Sequence, residues 1–219
     1  DLIADGAVPV PVRPLNDACM QALRAVLRHP GLDAAFKQLV LTLPGEDYIA
    51  EQLDDADPQR IHAVRDAMEL QLATELQADW QWAYEGNADT GAYTPDPVSS
   101  GRRALAGLAL RMLCLGARAS GDPVWPGKAY QHVKTAGNMT DRLNALRALV
   151  DGGHALAGRA LARYYELFRH EPLALDKWFA LQAGQPDRGG NVLPAVKQLM
   201  AHPDFNIRNP NRARRLIFS

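Results

Sequence analysis

The chain has 219 residues, 47% of them hydrophobic and 22% charged. That is room for one domain, or two small ones, with a real core, and it excludes a wholly disordered chain. Lys and Arg number 24 against 25 Asp and Glu, so the net charge of -1 gives no reason to expect a nucleic acid or a membrane surface as partner.

Glycine and proline fall mainly between blocks of apolar periodicity, and the blocks read as helices. The first spans 17–28, with Cys19, Leu23, Val26 and Leu27 on one stripe. The second spans 33–42 and carries Ala35, Phe36, Leu39 and Val40; Pro30-Gly31 precedes it and Leu43-Pro44-Gly45 stops it. A short helix over 46–53 follows. Asp57-Pro58 is a cap followed by proline at the first helical position. The block behind it sets Ile61, Val64, Met68, Leu72 and Leu76 on one face and reaches Tyr84. Residues 85–99 form the clearest long loop. Ser100 is expected to cap a helix bearing Leu105, Leu108, Met112 and Leu115, with Gly116 ending it. A shorter helix starts at Pro126. Asn138-Met139-Thr140-Asp141 has the form of a capping box, with an acid three residues after the cap. Further helices carry Tyr164, Tyr165 and Phe168, then Trp178 and Phe179, then Val192 to Met200. Asn209-Pro210 opens the last. About ten helices with short connections and no convincing strand predict an all-α chain. Antiparallel pairs stacked as a superhelix fit best, although no fixed repeat length appears and a globular bundle remains open.

Local motifs for catalysis are missing. The six histidines (29, 62, 132, 154, 170 and 202) include no pair at i, i+3 or i+4. His170-Glu171 runs into Pro172 rather than toward the second histidine of a zinc-peptidase helix. Gly-x-Ser-x-Gly and GxxxxGK are absent. A metal site would need dispersed residues, such as His132 and Asp141, to converge. Cys114 reads as core, and Asp54, Asp55 and Asp57 as turn and cap. Arg102-Arg103 reads as a solvated helix end. Trp80 and Trp82, two apart on one helix, cannot share a face, so one of them is expected at the surface or against another domain. The strongest cluster is at the C-terminal end, where Arg208, Arg212, Arg214 and Arg215 accompany a single acid, Asp204. Such a cluster suits bidentate recognition of carboxylate or phosphate, or a structural ion-pair network; Arg215, beside Leu216, is the arginine expected to pack. Two cysteines cannot make an all-cysteine zinc site, and with apolar neighbours they read as reduced, in a cytoplasmic protein. No run reaches the ~18 apolar residues that span a bilayer. The N-terminus lacks a basic leader, and Asp1 in place of Met reads as a cut.

Three stretches carry a family resemblance: 138–146 (NMTDRLNAL), 176–183 (DKWFALQA) and 205–217 (FNIRNPNRARRLI). Together they resemble the C-terminal helical domain of the bacterial M1 zinc aminopeptidases, the alanyl aminopeptidase or aminopeptidase N type. The resemblance implies a HEAT/armadillo-like superhelix, incomplete at both ends, as a single helical-repeat domain over 1–219. It implies a domain that lacks a catalytic centre and caps the active site of a zinc-dependent enzyme removing N-terminal residues from peptides. Zinc would sit in the catalytic domain of the same polypeptide, and no cofactor is expected in this chain. Expected partners are that domain and peptide substrates, with neither nucleic acid nor membrane. By the family pattern Arg214, with Arg212 before it, lines the substrate cavity. Position 137 is Gly where the pattern has Asn, and Arg215 replaces a small polar residue. The competing reading is a stand-alone helical-repeat scaffold that binds proteins.

Overall fold

The computed structural model describes residue 3 and residues 9–88 and 91–217, and among these there is no strand. Twelve helices run in order: α1 (Asp17–Arg28), α2 (Ala34–Leu41), α3 (Glu46–Ala50), α4 (Pro58–Glu75), α5 (Gln77–Asn87), α6 (Pro97–Ser120), α7 (Val124–Thr135), α8 (Met139–Asp151), α9 (Ala157–Phe168), α10 (Pro172–Ala183), α11 (Val192–Met200) and α12 (Pro210–Ile217). The fold is all-α, made of stacked helix pairs as expected. The chain divides into two compact units, 1–125 and 126–219. The division falls inside α7, not at the long loop before α6.

In the first unit α6 is the hub, packed against α2, α4 and α5, while α1 lies on α2 and α5. Close approach requires glycine twice on α6. A Cβ at Gly101 would stand 2.9 Å from the Ala35 backbone nitrogen, and one at Gly116 would stand 3.1 Å from the Ala73 carbonyl oxygen. Gly116 therefore does not end the helix. It lets α4 in, and α6 runs on to Ser120. The cap is Asp96, whose carboxylate accepts from Ser99 N at 2.9 Å, rather than Ser100. The expected single block 58–84 breaks at Leu76, whose backbone leaves the helical region (φ -107°, ψ 21°). Trp80 is fully buried just after that break, and its indole N–H donates to Leu72 O at 2.9 Å.

In the second unit α10 is the hub, against α8, α9, α11 and α12. Trp178 donates to Leu161 O of α9 at 3.0 Å, and Phe179 is fully enclosed. Asn138 caps α8 by accepting from Asp141 N at 2.9 Å, as its spacing predicts, but the Asp141 carboxylate accepts from the Asn138 side-chain amide at 2.7 Å and not from its backbone N–H, so the cap forms without the full reciprocal box.

Candidate functional site

The arginine cluster resolves into different roles. Asn209 caps α12, its side-chain oxygen accepting from Asn211 N at 3.1 Å and Arg212 N at 3.2 Å. The cap and the proline behind it fix the rotation of this short helix. That rotation turns Arg212 and Leu216 inward and leaves Arg214 and Arg215 exposed. The Nε of Arg212 donates to Asp176 Oδ1 at 2.7 Å, Nη1 to Asp204 O at 2.6 Å, and Nη2 to Pro172 O at 3.4 Å. Its guanidinium also lies 5.6 Å from the Phe179 ring centre. Arg212 is thus the buried, ion-paired arginine of the cluster. Its partner Asp176 opens the DKWF stretch, so two of the three stretches behind the family resemblance meet in one buried ion pair.

Around this pair lies an aromatic cluster. His202 packs edge-on to Tyr165 and Phe179, at 5.3 and 5.6 Å between ring centres, and tilted against Trp178 at 5.4 Å. Tyr165 donates its hydroxyl to the Asp204 carboxylate, and that bond pushes the phenol's pKa above the ordinary tyrosine value. Asp204 therefore accepts from Tyr165 on its side chain and from Arg212 on its carbonyl. The 202–205 turn is held by both, which steadies the start of α12. Arg214 makes no hydrogen bond or ion pair with the described residues. It is the member of the NPNRAR stretch left able to meet a partner.

Other candidates take structural places. Cys114 is buried, and burial pushes its thiol pKa up to about 12, which removes it as a nucleophile. Burial lowers the His132 pKa. Asp57 caps α4, accepting from Gln59 N and Arg60 N at 2.9 and 3.1 Å. Arg103 is not a solvated helix end: it is buried, donates to Thr94 O at 2.7 Å, and lies 4.6 Å from the Tyr93 ring centre. Among the described residues no group of three or more His, Cys, Asp or Glu could hold a metal ion.

Two features are not evident in sequence. The first is the charge of each unit. Residues 1–125 hold ten Lys and Arg against eighteen Asp and Glu, and residues 126–219 hold fourteen against seven. The near-neutral total conceals an acidic unit and a basic one, and only the division at residue 125 reveals them. The second is α2. Its expected apolar stripe faces outward, with Leu39 69% exposed and Phe36 and Val40 partly so, whereas Lys37 is buried to 7%. Periodicity alone gave the wrong face, because Lys37 and Leu41 lie on the side turned toward the unit's interior.

The comparisons with known proteins agree with this architecture. Over 219 residues, 99% of the chain, it is 35% identical to an aminopeptidase N of Caulobacter vibrioides, of which it covers 24%. It is 36% identical over 94% of its length to the aminopeptidase N of Haemophilus influenzae, covering 23% of that protein, and 36% identical over 90% to that of Escherichia coli, covering 22%. The chain thus spans about a quarter of the length of these relatives. Among solved structures, Legionella pneumophila aminopeptidase A in complex with aspartic acid is similar with a TM-score of 0.77 and 25% identity, over 92% of this chain and 24% of that one. No described helix is long and apolar enough to cross a membrane. Residues 4–219 match the family described as "Domain of unknown function (DUF3458_C) ARM repeats", and the chain belongs to that family, as an all-helical domain related to aminopeptidases N.

Proposed function

We propose that this chain is the substrate-gating domain of a zinc-dependent aminopeptidase, covering an active site carried elsewhere in the same polypeptide and limiting which peptides enter. The observation that carries the reading is the near-full-length similarity to three aminopeptidases N, each matched over about a quarter of its length. The described residues do not fit a zinc site. The metal, and any activation of water by it, is therefore assigned to the remainder of the polypeptide. This chain contributes position and charge. Asp176, Asp204 and Arg212 hold α12 in place, and Arg214 projects from it as an exposed guanidinium. A guanidinium there suits the C-terminal carboxylate of a short peptide, which it can bind with two parallel hydrogen bonds. The reading carries a cytoplasmic location with it, which the absence of a disulfide between Cys19 and Cys114 supports.

The test is Arg214→Ala in the intact gene product. KM for di- and tripeptides should rise about tenfold or more, the loss of a solvent-exposed bidentate pair, while an aminoacyl arylamide, which has no carboxylate, should be hydrolysed unchanged. Equal KM values for the peptides would remove Arg214 from substrate binding. A gene product near 24.0 kDa, with no peptidase portion, would replace the whole reading with a stand-alone helical scaffold.

A further inference from the structure

A second cationic site lies in the first unit, on the side formed by α1, α2 and α5. Trp82 of α5 is 42% exposed, while its neighbour Trp80 is fully enclosed. The Arg28 guanidinium stands 4.5 Å from the Trp82 ring centre, and the Lys37 ammonium stands 5.6 Å from it. Two cations thus lie within about 6 Å of the centre of one partly exposed indole. Arg28 gives its Nε to Asp79 Oδ1 at 2.7 Å, but Arg24 takes the other oxygen of the same carboxylate at 3.0 Å. Two arginines therefore share one acid.

Lys37 is the decisive member. It is 93% buried by its 7% exposure, yet no carboxylate or carbonyl among the described residues accepts from it. Desolvation lowers its pKa from the ordinary lysine value, and no carboxylate offsets that cost. A lysine whose stem is covered and whose ammonium has no carboxylate beside it can take an anion there. The stem is covered, but the ammonium is not one of the sealed polar atoms.

We infer that Lys37, Arg28 and Trp82 form a binding site for a carboxylate that carries an apolar or aromatic group next to it. The carboxylate would take charge-assisted hydrogen bonds from the Lys37 ammonium and from the terminal nitrogens of Arg28, which make none to the described residues. The apolar group would lie on the exposed part of the indole. The surroundings select against larger charge. The unit carries eighteen acids against ten bases, a field that repels phosphate dianions and polyanions more strongly than a carboxylate monoanion. Peptide C-termini and Asp or Glu side chains share the required chemistry. The site uses residues of the first unit alone and stands whether or not the chain works beside a peptidase centre.

The test is NMR on the whole chain with lysine labelled at Cε, which gives one resonance for each of its five lysines. Lys37 is assigned by Lys37→Met. N-acetylphenylalanine should shift the Lys37 signal saturably, and its amide should need about tenfold more for the same shift. N-acetyl-Phe-Glu-amide, whose only carboxylate is a side chain, tells the two sources apart: binding as tight as N-acetylphenylalanine assigns side-chain carboxylates, and weaker binding assigns chain termini. Arg28→Gln, which leaves Asp79 paired with Arg24, should weaken either ligand while the fold persists. An equal response to acid and amide, no response to any of them, or inorganic phosphate acting as strongly as N-acetylphenylalanine would overturn the assignment.

Discussion

Arg212 and Arg214 differ by two positions and by everything the structure gives them. The Arg212 side chain is 10% exposed and that of Asp176 is 7% exposed. Removing the guanidinium leaves a buried carboxylate with no counter-charge, a change that costs about 3–5 kcal/mol. Arg212→Ala should therefore lower the urea midpoint sharply. Arg212→Lys should recover little, because one ammonium cannot reach Asp176, Asp204 O and Pro172 O with the geometry of a planar fork. Arg214→Ala removes no hydrogen bond or ion pair with the described residues and should stay within about 0.5 kcal/mol of the parent. Urea unfolding followed by far-UV circular dichroism checks all three. Similar losses for Arg212→Ala and Arg214→Ala would contradict the assignment of Arg212 to structure. The same contrast bears on activity: an effect of Arg214→Ala on peptide KM cannot then be ascribed to unfolding.

Among the elements, α3 is the one held chiefly by side chains from outside it. It is five residues long, buries none of them, and has no side-chain cap. His62 Nδ1 on α4 lies 2.8 Å from Glu46 Oε1, with Asp66 Oδ2 3.6 Å from Nε2, and Arg65 donates to Pro44 O at 2.9 Å. The bond to Glu46 raises the His62 pKa, desolvation opposes it, and the charges of Asp66 and Glu46 raise it further against Arg65. A raised folded-state pKa means that protons favour the folded clip. Its contribution is complete below the unfolded imidazole value of ~6.5 and is lost as pH rises through the higher folded value. Amide protection factors over 49–53 should fall between about pH 5.5 and pH 8, and His62→Gln should flatten that dependence. Equal protection factors at the two pH values in the parent would remove the clip. This contact also shows where sequence reading ends. Caps are legible because they are local: Asp57, Asn138 and Asn209 each satisfy amides two or three residues on. The DKWF and NPNR stretches are legible as motifs, but their union through Asp176 and Arg212 spans 36 positions and has no local signature. The orientation of α2 is hidden for a related reason. Its eight residues are too few for periodicity to outvote what packs on either side. Only the three-dimensional neighbours decide that Lys37 faces in and Leu39 faces out.

At the scale of the whole molecule, the sequence total of -1 describes neither unit. The first carries an excess of eight acids and the second an excess of seven bases. Each excess is large for a unit of its size, and fields of that kind act over a distance set by salt. The screening length is about 30 Å at 0.01 M and about 8 Å at 0.15 M ionic strength. Near neutral pH, close to the sequence pI of 6.7, net repulsion between copies is almost absent, so the acidic unit of one copy is free to attract the basic unit of another. The chain should therefore self-associate at about 0.01 M salt and return to monomer by about 0.15 M. Sedimentation velocity across that range at fixed protein concentration measures this directly. Association through apolar surface, such as the exposed Phe36, Leu39 and Val40 of α2, has the opposite signature, since salt leaves it unchanged or strengthens it. Reversing charge at Arg147 and Arg159, both exposed in the basic unit, should abolish the low-salt association. An association that survives those reversals, or that grows with salt, would place its cause on the α2 face and not in the division of charge.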